Sequence, residues 1–494
     1  MNLALAVSAT LAACSFAPEP SASRSSDKMT MVSDGPDPRG QRGRMVSQLY
    51  QENCVSCHGD RGQGGGAGTK TLLSEELHDQ KHDRRFFDAI KNGVPDMGMP
   101  SYGETLSDPE VWGLVVHIRE LQATALRRAK GSTPRTGVVK TRRHNYRVET
   151  VIDADQGLQT PWAIAWLPDG RMLITNRPGK LVLARGNSVT GEVQGIPESL
   201  ELGQGGLMEV AVHPDYARNG WVYLAYTEPA RSGRGGLTKV VRGKLAFSGG
   251  GASWTSQQTI WEADQKFYTG AGVHFGTRIV FDGRGLLYFV VGERAGNMLA
   301  QELTNPFGKV YRLREDGSEL ADNPFVGKTD IKGVWTYGHR NPQGLVFDLN
   351  GDLWVTEHGP RGGDELNRIV RGSNYGWPVV AFSINYNGAP FRTPWPTQGQ
   401  NIRMPIFRWL PSIGACGLDV MKGSKFPQWQ GDLFAGGLSG ANVDRVRVKG
   451  DQLIEREEIL HGLGRVREVR TGPDGLLYIA LNQPDKIIRL VPAD

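Results

Sequence analysis

The chain has 494 residues, which is more than a single compact domain of about 150 residues usually holds. Its 65 glycines and 28 prolines predict many tight turns, and therefore many short strands rather than a few long helices. The net charge of +5 is spread over the whole chain without a dense basic run, which argues against nucleic acid as a partner.

Residues 1–14, MNLALAVSATLAAC, form a short apolar run that ends in small residues and Cys14. The run is typical of an export signal and is too short to span a bilayer. Because it resembles the lipobox of bacterial lipoproteins, we expect lipidation at Cys14 and a periplasmic protein anchored to the membrane. No positive residue precedes the run, so a misplaced start or a soluble periplasmic product stays open. The Ser- and Pro-rich residues 15–42 predict a disordered linker.

Residues 43–123 carry the signals of a small all-α domain. Apolar residues at helical spacing predict one helix before a cysteine pair and a second helix around Phe87. Ser107 and Glu110 predict a capping box at the start of a third helix. The periodicity ends in residues 124–145, where Arg, Lys, Gly, Ser and Pro dominate, so we expect a flexible connector there.

The α domain contains Cys54, Cys57 and His58 in the C-x-x-C-H spacing of c-type haem attachment. Two intervening residues let both thiols reach the vinyl groups of one porphyrin, and the adjacent histidine reaches the iron. A redox or zinc C-x-x-C motif is the alternative, which the export signal and the histidine disfavour. Met99, on a loop rich in Pro and Gly, is the predicted second axial ligand, with Met97 as its competitor and core packing as the alternative role. Such His/Met ligation suits electron transfer, and residues 43–123 resemble class I cytochromes c.

From residue 146 onward one pattern recurs: a short apolar strand, a turn rich in Asp, Asn and Gly, and a second apolar strand. The six copies are AIAWLPDGRMLITNR, EVAVHPDYARNGWVYLAY, RIVFDGRGLLYFVVGER, GLVFDLNGDLWVTEHG, DVMKGSKFPQWQGDLFAGG and VRTGPDGLLYIALNQ. A hairpin cannot bury both faces alone, and hairpins repeated at such intervals are typical of propeller blades. We therefore predict an all-β six-bladed β-propeller over residues 146–494, with a β-sandwich as the alternative.

Polar segments stand next to the predicted strands of these repeats: GQGG, HFGTR, GER, GHRNPQG and GRVR. Propeller strand ends on one face surround the central channel, so the segments could converge on one polyanionic ligand. Turn chemistry or a surface ion pair is the alternative for any one of them.

The stretches GQGGLMEVAVHPDY, YGHRNPQGLVFD and EHGPRGGDELNRIVRGSNYGWP resemble the soluble glucose/sorbosone dehydrogenases that use pyrroloquinoline quinone (PQQ). Within that family, residues 146–492 are more similar to the aldose sugar dehydrogenases than to the glucose-specific enzymes. The resemblance implies oxidation of an aldose at C1 to its lactone, with PQQ and calcium as cofactors. Electrons would pass from PQQ to the fused haem c and on to a respiratory acceptor. Which sugar is used does not follow from the sequence.

The same resemblance implies roles for individual residues. His274 looks like the general base, and a histidine can accept a proton at neutral pH. Glu293 would orient its imidazole, at a position where the family usually has Asp. Arg340 and Asn341 resemble the pair that holds the quinone carbonyls, where a fixed positive charge stabilises an oxygen that gains electrons.

Further cofactor contacts are implied at Gln204, at Tyr386 on the rim, and at Arg465 and Arg467. The last two resemble the pair that faces the carboxylates of PQQ, for which guanidinium groups are well suited. One departure concerns Ser439, because the family places a lysine there. Part of the charge neutralisation is therefore missing or comes from elsewhere.

Calcium is implied at two places. The carbonyl oxygens of Gly359 and Pro360 resemble those that help to hold the cofactor-bound ion, and Glu365 with Tyr375 matches a second site of the family. Oxygen ligands suit this hard cation, although the spacing alone would not have indicated it.

Two other functions stay open at this stage. A propeller lactonase would need acidic and amide ligands around the channel, whereas the motifs here are rich in Arg. A non-enzymatic interaction propeller that has lost its cofactor is the second alternative, and Ser439 would be its first sign.

Overall fold

The computed structural model describes residues 44–65 and 70–493. The predicted signal and linker, and with them Cys14, lie outside these ranges. No helix within the described ranges is both long and apolar enough to cross a membrane.

The N-terminal part is helical, as predicted. Its helices are α1 (Val46–Asn53), α2 (Val55–His58), α3 (Asp83–Asn92) and α4 (Asp108–Lys130), and a short α5 (Tyr216–Asn219) lies further along the chain. Single 3₁₀ turns occur at Glu75–Leu77, Gln80–His82, Pro95–Met97, Ala154–Gln156, Gln265–Phe267, Asn297–Gln301 and Pro427–Trp429. The predicted capping box is confirmed, because the backbone N–H of Ser107 donates to the carboxylate of Glu110 at 2.9 Å.

The predicted flexible connector over residues 124–145 needs correction. Helix α4 passes the predicted boundary at Ala123 and ends at Lys130, because residues 124–130 are mostly good helix formers. Beyond the helix, the backbone N–H of Thr133 donates to the carbonyl of His461 at 2.9 Å. The first residues of this segment are therefore helical, and Thr133 is hydrogen-bonded to strand residue His461.

The rest of the chain is mostly β. Its strands are β1 (Val139–Lys140), β2 (Asn145–Ile152), β3 (Pro161–Trp166), β4 (Met172–Asn176), β5 (Lys180–Arg185), β6 (Ser188–Gln194), β7 (Leu207–Val212), β8 (Val222–Pro229), β9 (Gly236–Ser248), β10 (Gly251–Trp261), β11 (Gly276–Phe281), β12 (Leu287–Val291), β13 (Lys309–Leu313), β14 (Val334–Tyr337), β15 (Pro342–Phe347), β16 (Leu353–Glu357), β17 (Asp364–Ile369), β18 (Phe407–Trp409), β19 (Ala415–Val420), β20 (Leu433–Gly437), β21 (Asn442–Lys449), β22 (Gln452–His461), β23 (Arg465–Thr471), β24 (Leu477–Asn482) and β25 (Lys486–Ala493).

All six predicted hairpins are present as antiparallel pairs: β3–β4, β7–β8, β11–β12, β15–β16, β19–β20 and β23–β24. Their recurring turn residues act through side-chain hydrogen bonds to the backbone. Asp282, for example, accepts from the N–H groups of Arg284 and Leu286, both at 2.9 Å. Such carboxylates replace missing backbone partners in a tight turn, which explains why the same residue types recur.

The sheets form a propeller-like ring. Their strand orders are β1-β2-β25-β24-β23, β3-β4-β5-β6-β10-β9-β8-β7, β11-β12-β13-β14, β15-β16-β17-β18 and β19-β20-β21-β22. In the eight-stranded sheet, a parallel contact between β6 and β10 joins two antiparallel groups. The first strands of the groups contact one another in the order β3, β7, β11, β15, β19 and β23, and β23 returns to β3. Strand β2 pairs with β25, so the two ends of this β part close the ring together.

Candidate active site and haem-attachment site

The ring places the predicted site residues at one end of its central channel. His274 stands two residues before β11, Asn341 directly before β15 and Gln204 three residues before β7, and Arg465 is the first residue of β23. Because these are the innermost strands and their first residues lie on the same face, residues far apart in sequence meet there.

The imidazole of His274 is held by Glu293. Its Nδ1 forms a short hydrogen bond with Oε1 of Glu293, whose other oxygen accepts from the backbone N–H of Asn297 at 2.5 Å. Burial alone would raise the pKa of Glu293, but the hydrogen bond and charge of His274 together with nearby Arg340 lower it below its ordinary value. An ionised Glu293 fixes the Nδ1 proton, and Nε2 is then the nitrogen that can accept a proton. The longer acidic side chain therefore still reaches the histidine.

The backbone around His274 is held in an unusual conformation. His274 has φ +55°, in the left-handed region that a residue with a side chain rarely adopts. Oε1 of Gln204 accepts from its backbone N–H at 2.9 Å, so Gln204 positions the histidine. A Cβ atom at Gly292 would lie 2.2 Å from the His274 carbonyl oxygen, which is too close. Glycine at this position therefore allows the backbone before Glu293 to pass next to His274.

Arg340 connects several of the predicted residues. Its Nη1 donates to the carbonyl of Gly359 at 3.1 Å and its Nη2 to the hydroxyl of Tyr386 at 3.3 Å. Its backbone N–H donates to Glu357 at 2.8 Å, and its guanidinium carbon lies 5.0 Å from the ring centroid of Trp377. These contacts fix the guanidinium group of Arg340 next to the loop that carries Tyr386. The group lies at the end of the central channel that holds the predicted site residues, which we call the channel mouth.

Asn341 is oriented by its neighbours. Its Oδ1 accepts from the backbone N–H of Gly276 at 3.2 Å and from Nε2 of Gln343 at 3.0 Å, so its Nδ2 is the remaining donor. That nitrogen lies 3.4 Å from Nδ1 of His358. His358 is a site residue that the sequence did not indicate, although it directly precedes Gly359 in the EHGP stretch. Burial, followed by the charges of the neighbouring Arg340, His274 and Arg467 side chains, lowers its pKa well below the ordinary value and keeps it neutral.

Arg465 and Arg467 lie on the β23 side of the channel mouth. The guanidinium carbon of Arg467 lies 3.8 Å from the ring centroid of Trp162, and its Nη1 lies 3.6 Å from the Cys416 sulfur. Burial lowers the pKa of Arg467 to about 10, and no carboxylate in the described ranges pairs with Arg465 or Arg467. A partly buried cation without a counter-ion is unfavourable, so this pair fits an anionic ligand such as the carboxylates of PQQ. Trp162 and Cys416 were not predicted.

The predicted second calcium position holds two neighbouring carboxylates, the buried Glu357 and the partly buried Glu365. Glu365 and Tyr375 line one small cavity together with Glu357. Nδ2 of Asn367 lies between the two acids, at 2.8 Å from Glu357 and 3.0 Å from Glu365. Burial and the charge of Glu357 raise the pKa of Glu365 well above its ordinary value, an arrangement that a cation would relieve.

The other predicted calcium ligands are backbone groups. The Gly359 carbonyl already accepts from Arg340, and a carbonyl oxygen retains a second lone pair. Residues 44–65 and 70–493 contain no cluster of three or more acidic, His or Cys side chains suited to a metal ion.

Ser439, which stands where the family has a lysine, is exposed in the turn between β20 and β21. A cation does approach this turn, since Arg127 of α4 donates to the carbonyl of Gly440 at 3.2 Å and contacts His461 at 2.7 Å.

The haem-attachment residues lie at the junction of α1 and α2. Cys54 is the C-cap of α1 and His58 is the last residue of α2, and the hydroxyl of Tyr50 donates to the carbonyl of Gly59 at 3.0 Å. Met99 packs against the apolar core of the α domain and pairs through its backbone with Val94. Met97, two residues earlier, is 68 % exposed. The two candidate thioethers thus have different surroundings, and Met99 is the one on the inner side.

This difference gives a direct test of the axial ligand. We expect Met99→Leu to lower the midpoint potential of the haem, because loss of a thioether ligand removes the stabilisation that it gives the reduced iron. Met97→Leu, the matched control, should leave the potential unchanged. Redox titration followed by visible absorption measures both. A shift in the Met97 variant with none in the Met99 variant would reverse the assignment.

A ring of sheets with arginines around a histidine–glutamate pair defines the chain as an oxidoreductase of the PQQ-type sugar dehydrogenases. The chain belongs to the Glucose / Sorbosone dehydrogenase family, whose model matches residues 158–489. Residues 41–118 match the model described as Cytochrome C oxidase, cbb3-type, subunit III, so the N-terminal part is a cytochrome c domain.

Individual relatives agree with the family. The chain is 40% identical over 334 residues to the Aldose sugar dehydrogenase YliI of Escherichia coli, covering 66% of this chain and 88% of that protein. The apo-form crystal structure of the soluble aldose sugar dehydrogenase from Escherichia coli superposes with a TM-score of 0.64 at 36% identity, covering 70% of this chain and 100% of that one. The PQQ-bound form of the aldose sugar dehydrogenase from Streptomyces coelicolor gives a TM-score of 0.56 at 26% identity, over 70% and 98% of the two chains.

Proposed function

We propose that this protein oxidises an aldose at C1 to the lactone with PQQ as its cofactor, and that the electrons pass to its own haem c. The observation that carries the proposal is Arg467, a partly buried guanidinium without a carboxylate partner in the described ranges, at the same channel mouth as the His274–Glu293 pair. The first feature fits a polyanionic cofactor, and the second fits removal of a proton from a hydroxyl group.

Each residue of the candidate site has its own role in this reaction. Arg465 and Arg467 hold the carboxylates of the cofactor, and bound PQQ supplies the acceptor for two electrons. Nε2 of His274 would take the proton of the C1 hydroxyl, and bound PQQ would supply the acceptor for the hydride of C1. Glu293 stabilises the imidazolium that forms, and the charge of Arg340 favours an acceptor oxygen as it gains electron density.

The proposal also covers the number of blades, the calcium sites, the ligands of the haem iron and the membrane anchor. Each of the six strand groups is one blade of a six-bladed propeller. Calcium binds at the carbonyls of Gly359 and Pro360 and beside Glu365 and Tyr375, and His58 and Met99 ligate the haem iron. Lipid attached to Cys14 holds the protein at the periplasmic side of a membrane, where a respiratory acceptor reoxidises the haem.

The proposal is tested by the visible spectrum of the haem. Haem-containing protein supplied with PQQ and calcium should show haem reduction when an aldose is added, and several aldoses rank the substrates. Protein without PQQ is the control and should stay oxidised. If the protein binds no PQQ, or hydrolyses lactones equally well without it, the lactonase or the interaction propeller replaces the dehydrogenase.

A further inference from the structure

The haem domain shares a hydrophobic core with the propeller. Trp112 of α4 lies edge-on to Phe382 and to Trp395, with ring centroids 6.0 and 5.5 Å apart. Trp395 also meets the ring of Phe87 at 4.7 Å. Because Phe382 and Ile384 are buried in the same apolar cluster as α1, α3 and α4, separating the two parts would expose both.

Polar contacts fix the orientation of that interface. The carboxylate of Asp83 binds Arg119 within the haem domain and Arg408 of the propeller, both at 2.5 Å. The first backbone N–H of α1, at Val46, donates to the carbonyl of Gly388 at 2.9 Å. Buried carboxylates and backbone groups need these partners, so the docking has one preferred geometry.

The docking surface includes loops that also carry residues of the candidate cofactor site. Glu120 of α4 binds Arg361 through both carboxylate oxygens, at 2.8 and 2.9 Å. Arg361 directly follows Pro360, and its backbone pairs with Ile384, two residues before Tyr386. The haem domain therefore contacts the loop that carries Pro360 and lies against the segment that leads to Tyr386, two of the residues predicted at the cofactor site.

A continuous series of contacts leads from this surface to the haem-attachment turn. Nδ1 of His117 lies 3.7 Å from the Glu120 carboxylate, and its ring centroid lies 4.8 Å from that of Tyr50. Tyr50 lies one helical turn before Cys54 and donates to the carbonyl of Gly59, next to His58. Packed groups thus connect the turn that carries Cys54 and His58 with the Arg361 loop.

From these contacts we propose that the haem domain is permanently docked in the position from which it receives electrons, with Trp395 and the Glu120–Arg361 pair as positioning residues. The inference rests on the proposed function. It replaces the flexible arrangement expected from the sequence with one in which each electron passes within a single molecule, and no domain movement precedes the transfer.

Rapid mixing of PQQ-loaded protein with an aldose tests this proposal. The rate constant of haem reduction should not depend on protein concentration. Trp395→Ala should lower it by at least tenfold, while sugar oxidation with a soluble dye as acceptor stays unchanged. Trp335→Ala is the matched control, because Trp335 packs on Tyr288 and Arg312 within the propeller.

The ion pair is tested by exchanging its charges. Glu120→Arg should slow haem reduction, and the double variant Glu120→Arg with Arg361→Glu should restore most of the rate, because the pair is re-formed in the opposite sense. Haem reduction that accelerates with protein concentration, or that is insensitive to Trp395→Ala and Glu120→Arg, would overturn the proposal.

A readout without turnover separates this inference from the proposed function. In hydrogen exchange, the Val46 amide should exchange slowly in the haem-containing wild type and faster in Trp395→Ala. If the dye is not reduced but the Val46 amide is protected, the dehydrogenase proposal fails and the docking stands. Fast exchange in the wild type would contradict the docking itself.

Discussion

Replacement of His274 by Asn should lower kcat for aldose oxidation by about 10³-fold, because positioned general bases contribute roughly 10²–10⁴-fold. Asn keeps a polar side chain of similar size but cannot accept the proton of the C1 hydroxyl. PQQ affinity and the haem spectrum should change little. Steady-state rates with a soluble dye acceptor measure the effect without involving the haem.

His213→Asn provides the matched control. His213 is a buried histidine of the same ring, but it follows β7 and contacts Glu315 and Asn219 away from the channel mouth. Its replacement should leave kcat unchanged. If the His274 variant turned over within a few-fold of the wild type, another group would have to remove the proton, and His358 would be the next candidate.

Local signals explain what the sequence could predict. The hairpins follow from turn residues such as Asp282, whose carboxylate bonds to N–H groups two and four positions along the chain. The Ser107 capping box and the C-x-x-C-H motif are equally local. In each case the interacting groups are a few residues apart in the chain, so the sequence spacing is enough to predict their contact.

The residues that were missed depend on contacts between distant strands. Trp162 lies in β3 and Arg467 in β23, and only closure of the ring brings the indole against the guanidinium. The position of Cys416 beside Arg467 has the same origin. Docking of the haem domain was missed for a related reason, since Trp395 and Arg408 belong to segments without a periodic pattern. Neither closure nor docking has a local signature in the sequence.

Replacement of Arg467 by Gln should weaken PQQ binding by about 10- to 100-fold, because hydrogen bonds to charged groups contribute roughly 1.5–3 kcal/mol. The quenching of tryptophan fluorescence on titration of the apo-protein measures it, and Trp162 lies directly beside the replaced group. Arg489→Gln is the control, since Arg489 pairs with Glu149 on the outer strands of the same sheet, and its replacement should not affect PQQ affinity.

The same substitution should not destabilise the apo-protein. Removal of a partly buried guanidinium that lacks a carboxylate partner relieves a desolvation cost, so the Tm of apo Arg467→Gln should equal or exceed that of the wild type. PQQ should raise the Tm of the wild type far more than that of the variant, because a ligand stabilises the folded state in proportion to its affinity. A variant with a much lower apo Tm would mean that Arg467 supports the ring itself, and the assignment of its guanidinium to a cofactor carboxylate would be wrong.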